Sequence, residues 1–428
     1  MTERPQPPAF ADLVRTSTKI GVLSFGGPAA QIALMHRIFV EEKKWIDEPR
    51  FLHALNFCML LPGPEAQQLA TYVGWLLHGI KGGLAAGLLF ILPGAAVVFA
   101  LSWLYAEHGS APLVEAGFYG VRAAVLAFVV EALLRISRRA LKSRADVAIA
   151  IVAFAALTFF AIPFPFIILA AALVGAVRRR NASAAGAVAH AKIEIRRAAA
   201  HAAFWGGVWA APLAFCFMTL GADHVLTRIG VFFSKLALVT FGGAYAVLDW
   251  LRRQAVETEG WLSAAQMIDG LGLAETTPGP LVLVNQFVGF MAGWQAESGG
   301  LALAAFGAAM ASWVTFAPSF LWIFAGAPYA EIIRRNARAA GALAAITAAV
   351  LGVIATLAFW FAANVLFADA REIILPGGAL IAAPDLAWLD LFAVLIAAAS
   401  AVALIRFHAN AIMVVIGAML VGIARSML

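Results

Sequence analysis

Charged residues are scarce in this chain. They make up 13% of its 428 residues, whereas hydrophobic residues make up 63%. A soluble domain of ordinary composition is about 25% charged and about 45–50% apolar. Long apolar runs recur along nearly the whole sequence, as is typical of a polytopic membrane protein. The scarcity of charge therefore excludes a soluble domain held by a single anchor.

Cysteine and histidine are also few and scattered. Cys58 and Cys216 lie inside apolar segments, and the eight histidines form no cluster with each other or with cysteine. The sequence also lacks a dinucleotide-binding glycine turn and a haem-attachment motif. We therefore expect no metal site, no cofactor, no catalytic residue and no enzyme activity.

Two further absences concern targeting and partners. The amino-terminal stretch has no compact apolar core ending in a cleavage site, so we expect no removable signal peptide. The net charge of +6 comes from basic residues in short loops between apolar runs, as in the cytoplasmic loops of membrane proteins. The expected partner is therefore the lipid bilayer and not a nucleic acid.

Seven apolar runs are long enough to cross a bilayer core of roughly 30 Å. They are Gly82–Tyr105, Pro112–Leu134, Ala202–Leu220, Gly299–Gly326, Ala339–Phe367, Asp385–Ile405 and Ala409–Met427. A longer run, Ala145–Val177, is interrupted by prolines and has basic residues at both ends. These features predict a hairpin of two short spans.

Four more segments are apolar but broken. Glycine pairs interrupt Val14–Met35 and Ile229–Trp250, and a Pro-Gly-Pro triplet interrupts Phe51–His78 and Gln266–Trp294. Counting each broken segment as one crossing gives about 13 transmembrane helices. This count places the loop at residues 36–50 outside the cell, although it carries four Lys/Arg. A re-entrant hairpin at Phe51–His78 would put that loop inside; we favour the crossing.

The two halves of the chain repeat each other. With no gap, Lys19–Pro64 and Lys235–Pro280 are identical at 13 of 46 positions, including both FGG and both PGP triplets. We predict an all-α polytopic membrane protein of two inverted-topology repeats of six helices plus one connecting helix. Its broken helices would meet near mid-membrane. The predicted boundaries are 1–200 with a basic cytoplasmic linker, 201–224 for the connecting helix, and 225–428.

A break at membrane depth frees backbone N–H and C=O groups, and it is tolerated only when buried in protein or lining a watery cavity. The half-helix after Pro64 or Pro280 directs its N-terminal N–H groups into the break, which suits an oxyanion. The breaks could instead be simple kinks, but two matched breaks with costly polar groups favour a site. The predicted substrate-binding residues are Gly26, Gly27, Pro28, Pro62, Gly63, Pro64, Glu65, Gln67, Gln68, Gly242, Gly243, Glu275, Thr276, Thr277, Pro278, Gly279, Pro280, Asn285 and Gln286.

Three other features have competing interpretations. The glycine pairs suit close helix packing as well as they suit ligand contact. Arg37 and Arg253 could attract an anion to the pore mouths, but we favour a role as helix-end anchors. Arg122 could pair with Glu115 or Glu131 inside one span.

At these residues the sequence resembles the chromate ion transporter family, of the long-chain type with two homologous halves. The matching stretches include SFGGPAAQIALM, KKWID and LPGPEAQQLATYVGW in the first half, and LVTFGGAYAVL and TPGPLVLVNQFVGF in the second. The resemblance implies secondary active efflux of chromate by a multi-pass antiporter of the bacterial inner membrane, which confers chromate resistance. Sulfate is the structural analogue of this substrate, since both are tetrahedral dianions.

Within this interpretation the two halves rock about the site in alternating access. Glu65 or Glu275 would link protonation to movement. This role is not symmetric, because Leu281 stands in the second half where Glu65 stands in the first. Transport of sulfate or another oxyanion, including uptake, is the alternative function, and a homodimer is left open.

Overall fold

The structure, a computed structural model, describes residues 8–178, 195–327, 337–368, 370–374 and 380–427. Most of the basic linker at residues 178–197 lies outside this description. The helices are α1 (Phe10–Leu23), α2 (Gly27–His36), α3 (Glu48–Cys58), α4 (Glu65–His108), α5 (Pro112–Ala140), α6 (Arg144–Phe160), α7 (Phe164–Arg178), α8 (Ile195–Leu220), α9 (Val225–Val239), α10 (Tyr245–Arg252), α11 (Ala264–Thr276), α12 (Val284–Trp294), α13 (Leu301–Gly326), α14 (Ala337–Leu366), α15 (Leu391–Ile405) and α16 (Ala411–Ser426).

The fold is helical, as predicted, with one addition. A two-stranded antiparallel sheet, β1 (Ala370–Ile374) and β2 (Leu380–Pro384), follows α14 and pairs Ala370 with Pro384. Among the described helices, five are long and apolar enough to cross a membrane: Glu65–His108, Pro112–Ala140, Ala198–Leu220, Leu301–Gly326 and Arg338–Leu366.

The predicted proline-broken hairpin is formed by α6 and α7. Arg178, at the end of α7, bonds Asp146 in the first turn of α6 at 3.2 Å. The two helices therefore return to the level at which they began. The side chains of Thr158 and Thr356 also join α6 to α14, with their hydroxyl oxygens 2.9 Å apart.

The sequence repeat is also a repeat of local backbone conformation. Each half has a π-helical turn, Arg37–Glu42 after α2 and Arg253–Thr258 after α10. Glycines with positive φ occur at the same 216-residue interval, as the pairs Gly26 and Gly242, Gly27 and Gly243, and Gly63 and Gly279. Both halves therefore have positive-φ glycines at matched positions in their helix breaks.

The chain groups into two compact units, each containing segments of both sequence halves. Unit 1 consists of Met1–Ser102, Ala182–Gly243 and Thr277–Ala339. Unit 2 consists of Trp103–Asn181, Ala244–Thr276 and Ala340–Leu428. Both glycine pairs and both Pro-Gly-Pro triplets belong to unit 1, so the four breaks can be described together.

Helix α4 is two helices joined by a tight turn. His78 (φ −138°, ψ 26°) and Gly79 (φ 61°, ψ −150°) leave the helical conformation. The chain reverses there, because the backbones of Gly74 and Gly82 touch: a Cβ on either would lie 2.3 Å or 2.2 Å from the other's carbonyl oxygen. We call residues 65–77 the α4 short arm and residues 80–108 the α4 long arm.

The first Pro-Gly-Pro segment is a helical hairpin. Gly63 lies beside Ser319 of α13, whereas the ring of Phe57 lies against Gly326 of α13 and 5.8 Å from the ring of Tyr72. Ser319 and Gly326 are about 10 Å apart along that helix. Both α3, which leads into the break at Gly63, and the α4 short arm, which leads out of it, therefore extend from the break along α13 toward Gly326. This geometry favours the re-entrant hairpin at Phe51–His78 over the single crossing that we favoured from the sequence.

The first glycine-pair segment has the same form. Helix α1 runs alongside the α4 long arm, since the ring of Phe10 packs 5.6 Å from that of His78 and Gly21 touches the backbone of Leu89. Helix α2 ends at His36, whose ring nitrogen bonds the first residue of α3 at 2.5 Å. In unit 1 the start of α1, the end of α2 and the start of α3 therefore lie at one end.

Unit 2 is organised around α5, which packs against α11, α15 and α16. Small residues allow the close approach: a Cβ on Gly120 would lie 1.9 Å from the carbonyl oxygen of Ala418 in α16. Gly272 of α11 lies similarly close to Val121 of α5. Backbone contact of this kind is how membrane helices associate without a hydrophobic driving force between them.

Candidate functional site

The breaks of the two halves are hydrogen-bonded to each other in unit 1. The backbone N–H of Gly63 donates to the carbonyl of Thr240 (2.7 Å), and the N–H of Gly279 donates to the carbonyl of Ser24 (2.8 Å). Ser24 ends α1 and Thr240 ends α9, so each triplet bonds the end of the helix before the other half's glycine pair. This exchange joins each triplet to the glycine-pair break of the other half.

Glycine is needed in the triplets because the backbone there is left-handed, with φ +117° at Gly63 and +95° at Gly279. Helix α4 then begins at Glu65, directly after Pro64. In the second half the α-helix does not follow at once: Pro280 precedes a 3₁₀ turn, Leu281–Leu283, and α12 begins after that turn. The two half-helix N-termini that we predicted are thus both present, and the second begins with a tighter turn.

Three buried glutamines hold the broken backbone. The amide of Gln31 donates to the carbonyl of Gly279 (2.7 Å) and to that of Ser24 (3.2 Å). Gln68 donates to the carbonyl of Pro62 at 2.7 Å. Gln286 donates to the carbonyl of Ala95 in the α4 long arm at 2.7 Å. The bonds of Gln31 and Gln68 satisfy carbonyl groups at the breaks, whereas that of Gln286 ties α12 to the α4 long arm. Part of the predicted polar set therefore has a structural role.

Other polar atoms at the breaks have no partner among the described residues. Gln67, in the first turn of the α4 short arm, is 0% exposed, and neither its amide nitrogen nor its amide oxygen forms a hydrogen bond. The same is true of single atoms in Gln31 (Oε1), Gln68 (Oε1), Asn285 (Oδ1) and Ser319 (Oγ). An unpaired buried polar group costs about 1–3 kcal/mol, so these atoms are places where water or another polar group can bind.

The donors and acceptors at this point are neutral and mixed. A primary amide offers two N–H donors and one acceptor, a serine hydroxyl offers both functions, and the first turn of a helix adds N–H groups. The nitrogen and oxygen of each amide can exchange places by rotation of the group. Such a set can coordinate an oxyanion and its remaining water or proton from several sides. Glu65 is half-buried at the first helical position, and the buried Thr277 lies next to the second triplet.

Two predicted site residues belong to unit 2. Glu275 accepts a hydrogen bond from the hydroxyl of Tyr245. Thr276 folds its hydroxyl back on its own helix, toward the carbonyls of Gly272 (3.1 Å) and Leu273 (3.0 Å). Sequence reasoning did not identify Tyr245 as a partner, although it lies just after the second glycine pair.

The two matched arginines have different surroundings. Arg37 is largely exposed and lies 3.4 Å from Glu42 of its own π-helical turn. Arg253 donates to Asp249 (2.8 Å), a carboxylate that is 1% exposed and also bonds Arg252. Each arginine is thus paired with a carboxylate of its own segment, and the anchoring role that we favoured for this pair stays a prediction.

A buried ion pair in unit 2 was missed by the sequence analysis. Arg122 of α5 bonds both carboxylate oxygens of Asp269 in α11, at 2.7 and 2.8 Å, and Tyr105 donates to the same carboxylate at 2.7 Å. Arg122 therefore pairs with Asp269 and not with either glutamate of its own helix; Glu131 lies 3.4 Å from Arg135. The signal that could have found Asp269 is a carboxylate in the middle of an apolar helix.

Known proteins resemble the chain over most of its length. The family model described as Chromate transporter matches residues 11–176 and 227–423, which lie in both halves. A chromate transport protein of Pseudomonas aeruginosa is 35% identical over 355 residues, 82% of this chain and 80% of that protein. One from Cupriavidus metallidurans is 29% identical over 354 residues, with 80% of each chain covered. No solved structure matches the chain.

Proposed function

Because the chain belongs to the chromate transporter family, a family of multi-pass membrane transport proteins, we propose that it exports chromate from the cell by alternating access and so confers chromate resistance. The observation that carries the proposal is the fully buried Gln67, whose amide has no partner among the described residues, at the place where the broken helices of both halves meet. An amide in this state is available to a substrate.

In the proposed site the oxyanion lies between the first turn of α4 and the segment before α12. Gln67 donates to it directly, and Ser319 and Asn285 contribute the polar atoms that lack protein partners. Gln31 and Gln68 donate their amide N–H groups to the backbone of the breaks and so hold it in place around the anion. Neutral donors in a water-excluded site bind an anion without adding a fixed charge that would have to be desolvated as well.

The membrane arrangement that we propose has two inverted halves, residues 1–200 and 225–428, joined by a connecting helix at 201–224. The hairpin form of the α1–α2 and α3–α4 segments puts the loop at residues 36–50 on the same side as the start of α1. With that side in the cytoplasm, the four Lys/Arg of the loop obey the positive-inside rule. The setting is the inner membrane of a bacterial cell, and export is coupled to counter-movement of a proton.

Two carboxylates are the candidates for this coupling. Glu65 precedes the amide cluster on the α4 short arm, and Glu275 precedes the second triplet and is bonded to Tyr245. In the proposed cycle this carboxyl is ionised while chromate moves outward. After chromate is released, the carboxyl takes up a proton outside and carries it inward in the return step.

The proposal is tested by uptake of labelled chromate into energised everted membrane vesicles, with Gln67→Met as the variant. Methionine keeps the size and shape of glutamine but has no amide. Because the Gln67 amide forms no hydrogen bond in the protein, this variant should unfold no more easily than the wild type while losing at least 90% of its chromate uptake. Gln254→Met, on the second π-helical turn, is the matched control and should keep normal uptake.

Three outcomes separate the alternatives. Uptake that excess sulfate inhibits supports an oxyanion carrier. Uptake of labelled sulfate with no uptake of chromate would support the proposed site but show that its substrate is sulfate. If the wild type moves neither anion, the proposed function is wrong. If Gln67→Met transports chromate normally, the proposed site is wrong.

A further inference from the structure

Helices α15 and α16 of unit 2 form a tight hairpin with an apolar groove between them. The backbone N–H of Ala409, just before α16, donates to the carbonyl of Ala403 in α15 at 3.0 Å. The groove has a volume of about 450 Å³. Its lining is mostly apolar and includes Leu395, Ala399 and Ala403 on α15, and Met413, Gly417 and Val421 on α16. Leu395 is 67% exposed and Met413 is 73% exposed, so the groove is open along its side.

The length of the groove matches one leaflet of a bilayer. On α15 its lining extends from Phe392 to Ala403, a stretch of about 16 Å. A bilayer core of about 30 Å leaves about 15 Å for the acyl chains of each leaflet. At Gly417 a Cβ would meet no atom within 4 Å, so the groove is empty of protein there. One extended acyl chain therefore fits along it.

The contacts of α16 with α5 give the depth of the hairpin turn. Ala418 touches Gly120 of α5, whereas Gly422 touches Ala116, so the two helices are antiparallel. Helix α16 therefore begins about 10 Å nearer the basic end of α5 than the Gly120 contact, and about 23 Å from the level at which α5 starts. With the start of α5 at one boundary of the core, the turn at residues 406–410 lies near the other boundary. The positive-inside rule puts that boundary on the cytoplasmic side.

Arg406 lies at this end of the groove. It keeps helical backbone angles (φ −91°, ψ −39°) and follows the lining residue Ala403 by three positions, so it continues the groove-facing row of α15. Its side chain is exposed, and no carboxylate among the described residues forms an ion pair with it. Arg425, at the other end of the groove, is instead paired with Asp390 at 3.4 Å and lies 4.1 Å from the ring centre of Tyr119. The groove thus has one unpaired cation, at headgroup level.

We propose that this groove binds one anionic phospholipid of the cytoplasmic leaflet, with its phosphate on Arg406 and one acyl chain between α15 and α16. The planar guanidinium matches a phosphate with two parallel hydrogen bonds, and basic positions on the cytoplasmic side attract anionic headgroups. A zwitterionic lipid fits the groove equally well, but it carries a cation beside its phosphate and binds less tightly. The site therefore distinguishes lipids by the charge of the headgroup.

The test is native mass spectrometry of the full-length chain, purified in detergent and supplied with phosphatidylglycerol or phosphatidylcholine. The wild type should retain one phosphatidylglycerol and hold phosphatidylcholine about fivefold less tightly or worse. Arg406→Met should weaken phosphatidylglycerol binding by about fivefold or more, whereas Arg406→Lys keeps the charge and should stay within about twofold. Arg138→Met is the matched control, since it removes an exposed cation in the last turn of α5, and it should bind as the wild type does.

A second pair of variants tests the groove separately from the charge. Gly417→Phe places a ring in the groove without meeting another protein atom at its Cβ, so the variant should fold and still lose the retained lipid. Gly207→Phe, on α8 of unit 1, is its control. Gly207 is also exposed and free of contacts within 4 Å, and this variant should keep the lipid.

Three results would overturn the proposal. The first is retention of phosphatidylglycerol by Arg406→Met and Gly417→Phe as tightly as by the wild type. The second is complete displacement of the lipid by excess inorganic phosphate, which has no acyl chain and would show a site for a free anion. The third is a wild-type dimer that Gly417→Phe converts to a monomer with unchanged lipid retention, which would show an interface between copies of the chain. None of these measurements involves transport, so their outcome is independent of the proposed function.

Discussion

The buried ion pair between Arg122 and Asp269 gives a prediction about stability that does not depend on function. The Asp269 side chain is 0% exposed and that of Arg122 is 25% exposed. The change Asp269→Asn keeps the size of the side chain and still offers an oxygen to the hydroxyl of Tyr105. It leaves the guanidinium of Arg122 without its counter-charge.

The expected loss of unfolding free energy follows from the burial of the Arg122–Asp269 pair. Removing one partner of a buried, doubly hydrogen-bonded ion pair costs about 3–5 kcal/mol, because the remaining charge is left uncompensated. Since a quarter of Arg122 is exposed and can be solvated, we expect the lower end, about 3 kcal/mol. Replacing both residues, as Asp269→Asn with Arg122→Met, removes the stranded charge and should bring the loss down to about 1 kcal/mol.

The assay is equilibrium unfolding in mixed micelles with increasing sodium dodecyl sulfate, followed by tryptophan fluorescence. Arg135→Gln is the control on the same helix, since Arg135 lies 3.4 Å from Glu131 in a pair whose members are both about one-third exposed. Such a pair contributes about 0–1 kcal/mol. If Asp269→Asn changes the unfolding free energy by less than about 0.5 kcal/mol, or if the double variant loses the sum of the single losses, the reasoning is refuted.

Three smaller predictions follow from close contacts and can be measured in the same unfolding assay. Gly63→Ala should lose about 1–3 kcal/mol, because its φ is +117° and its Cβ would lie 2.9 Å from the amide nitrogen of Gln68. Gly27→Ala should lose less, since its φ of +75° is nearer the left-handed helical region and its Cβ would meet no atom within 4 Å; equal losses would contradict this. Gly120→Ala should lose about 1–3 kcal/mol, because its methyl group would push α5 away from α16, and an unchanged midpoint would show that the helices yield freely. Thr158→Val should lose only about 1 kcal/mol, since Thr356 still donates to Gly352; a loss above about 3 kcal/mol would mean that the threonine pair contributes more than one hydrogen bond.

The breaks themselves could be predicted from sequence because they depend on residue type. Glycine readily adopts positive φ and proline removes a helix hydrogen bond, so each FGG and PGP triplet of this chain predicts the end of a helix. The equal spacing of both triplets in the two halves is evident from the order of the residues alone. The folded chain has the same positive φ angles and the same π-helical turns at that spacing.

The direction of the chain after a break could not be predicted in the same way. A run of apolar residues has the same composition whether its two half-helices are collinear or folded back on each other. The contacts that distinguish these cases join Phe57 to Gly326 and Gly63 to Ser319, residues far apart in sequence. Loop charge was the one local signal, because the four Lys/Arg at residues 36–50 conflicted with the crossing count.

The partners of buried polar groups could not be predicted from the sequence, for a related reason. Arg122 has glutamates on its own helix, and sequence reasoning considered these first; its partner lies 147 residues away, on α11. In contrast, the polar residues around the triplets were identified as a group. The structure divides that group into amides that hold the backbone, such as Gln68, and amides without a partner, such as Gln67.

The exchanged backbone bonds have a consequence for the synthesis of the protein and its insertion into the membrane. The N–H of Gly63 has its acceptor on Thr240, in the second half. The first half therefore enters the membrane with a backbone N–H group whose partner is synthesised later. Until then this group needs water or the insertion machinery as a temporary partner, since lipid offers none. A chain truncated before Thr240 should accordingly be held by the insertion apparatus or degraded, and a separately expressed second half should rescue it.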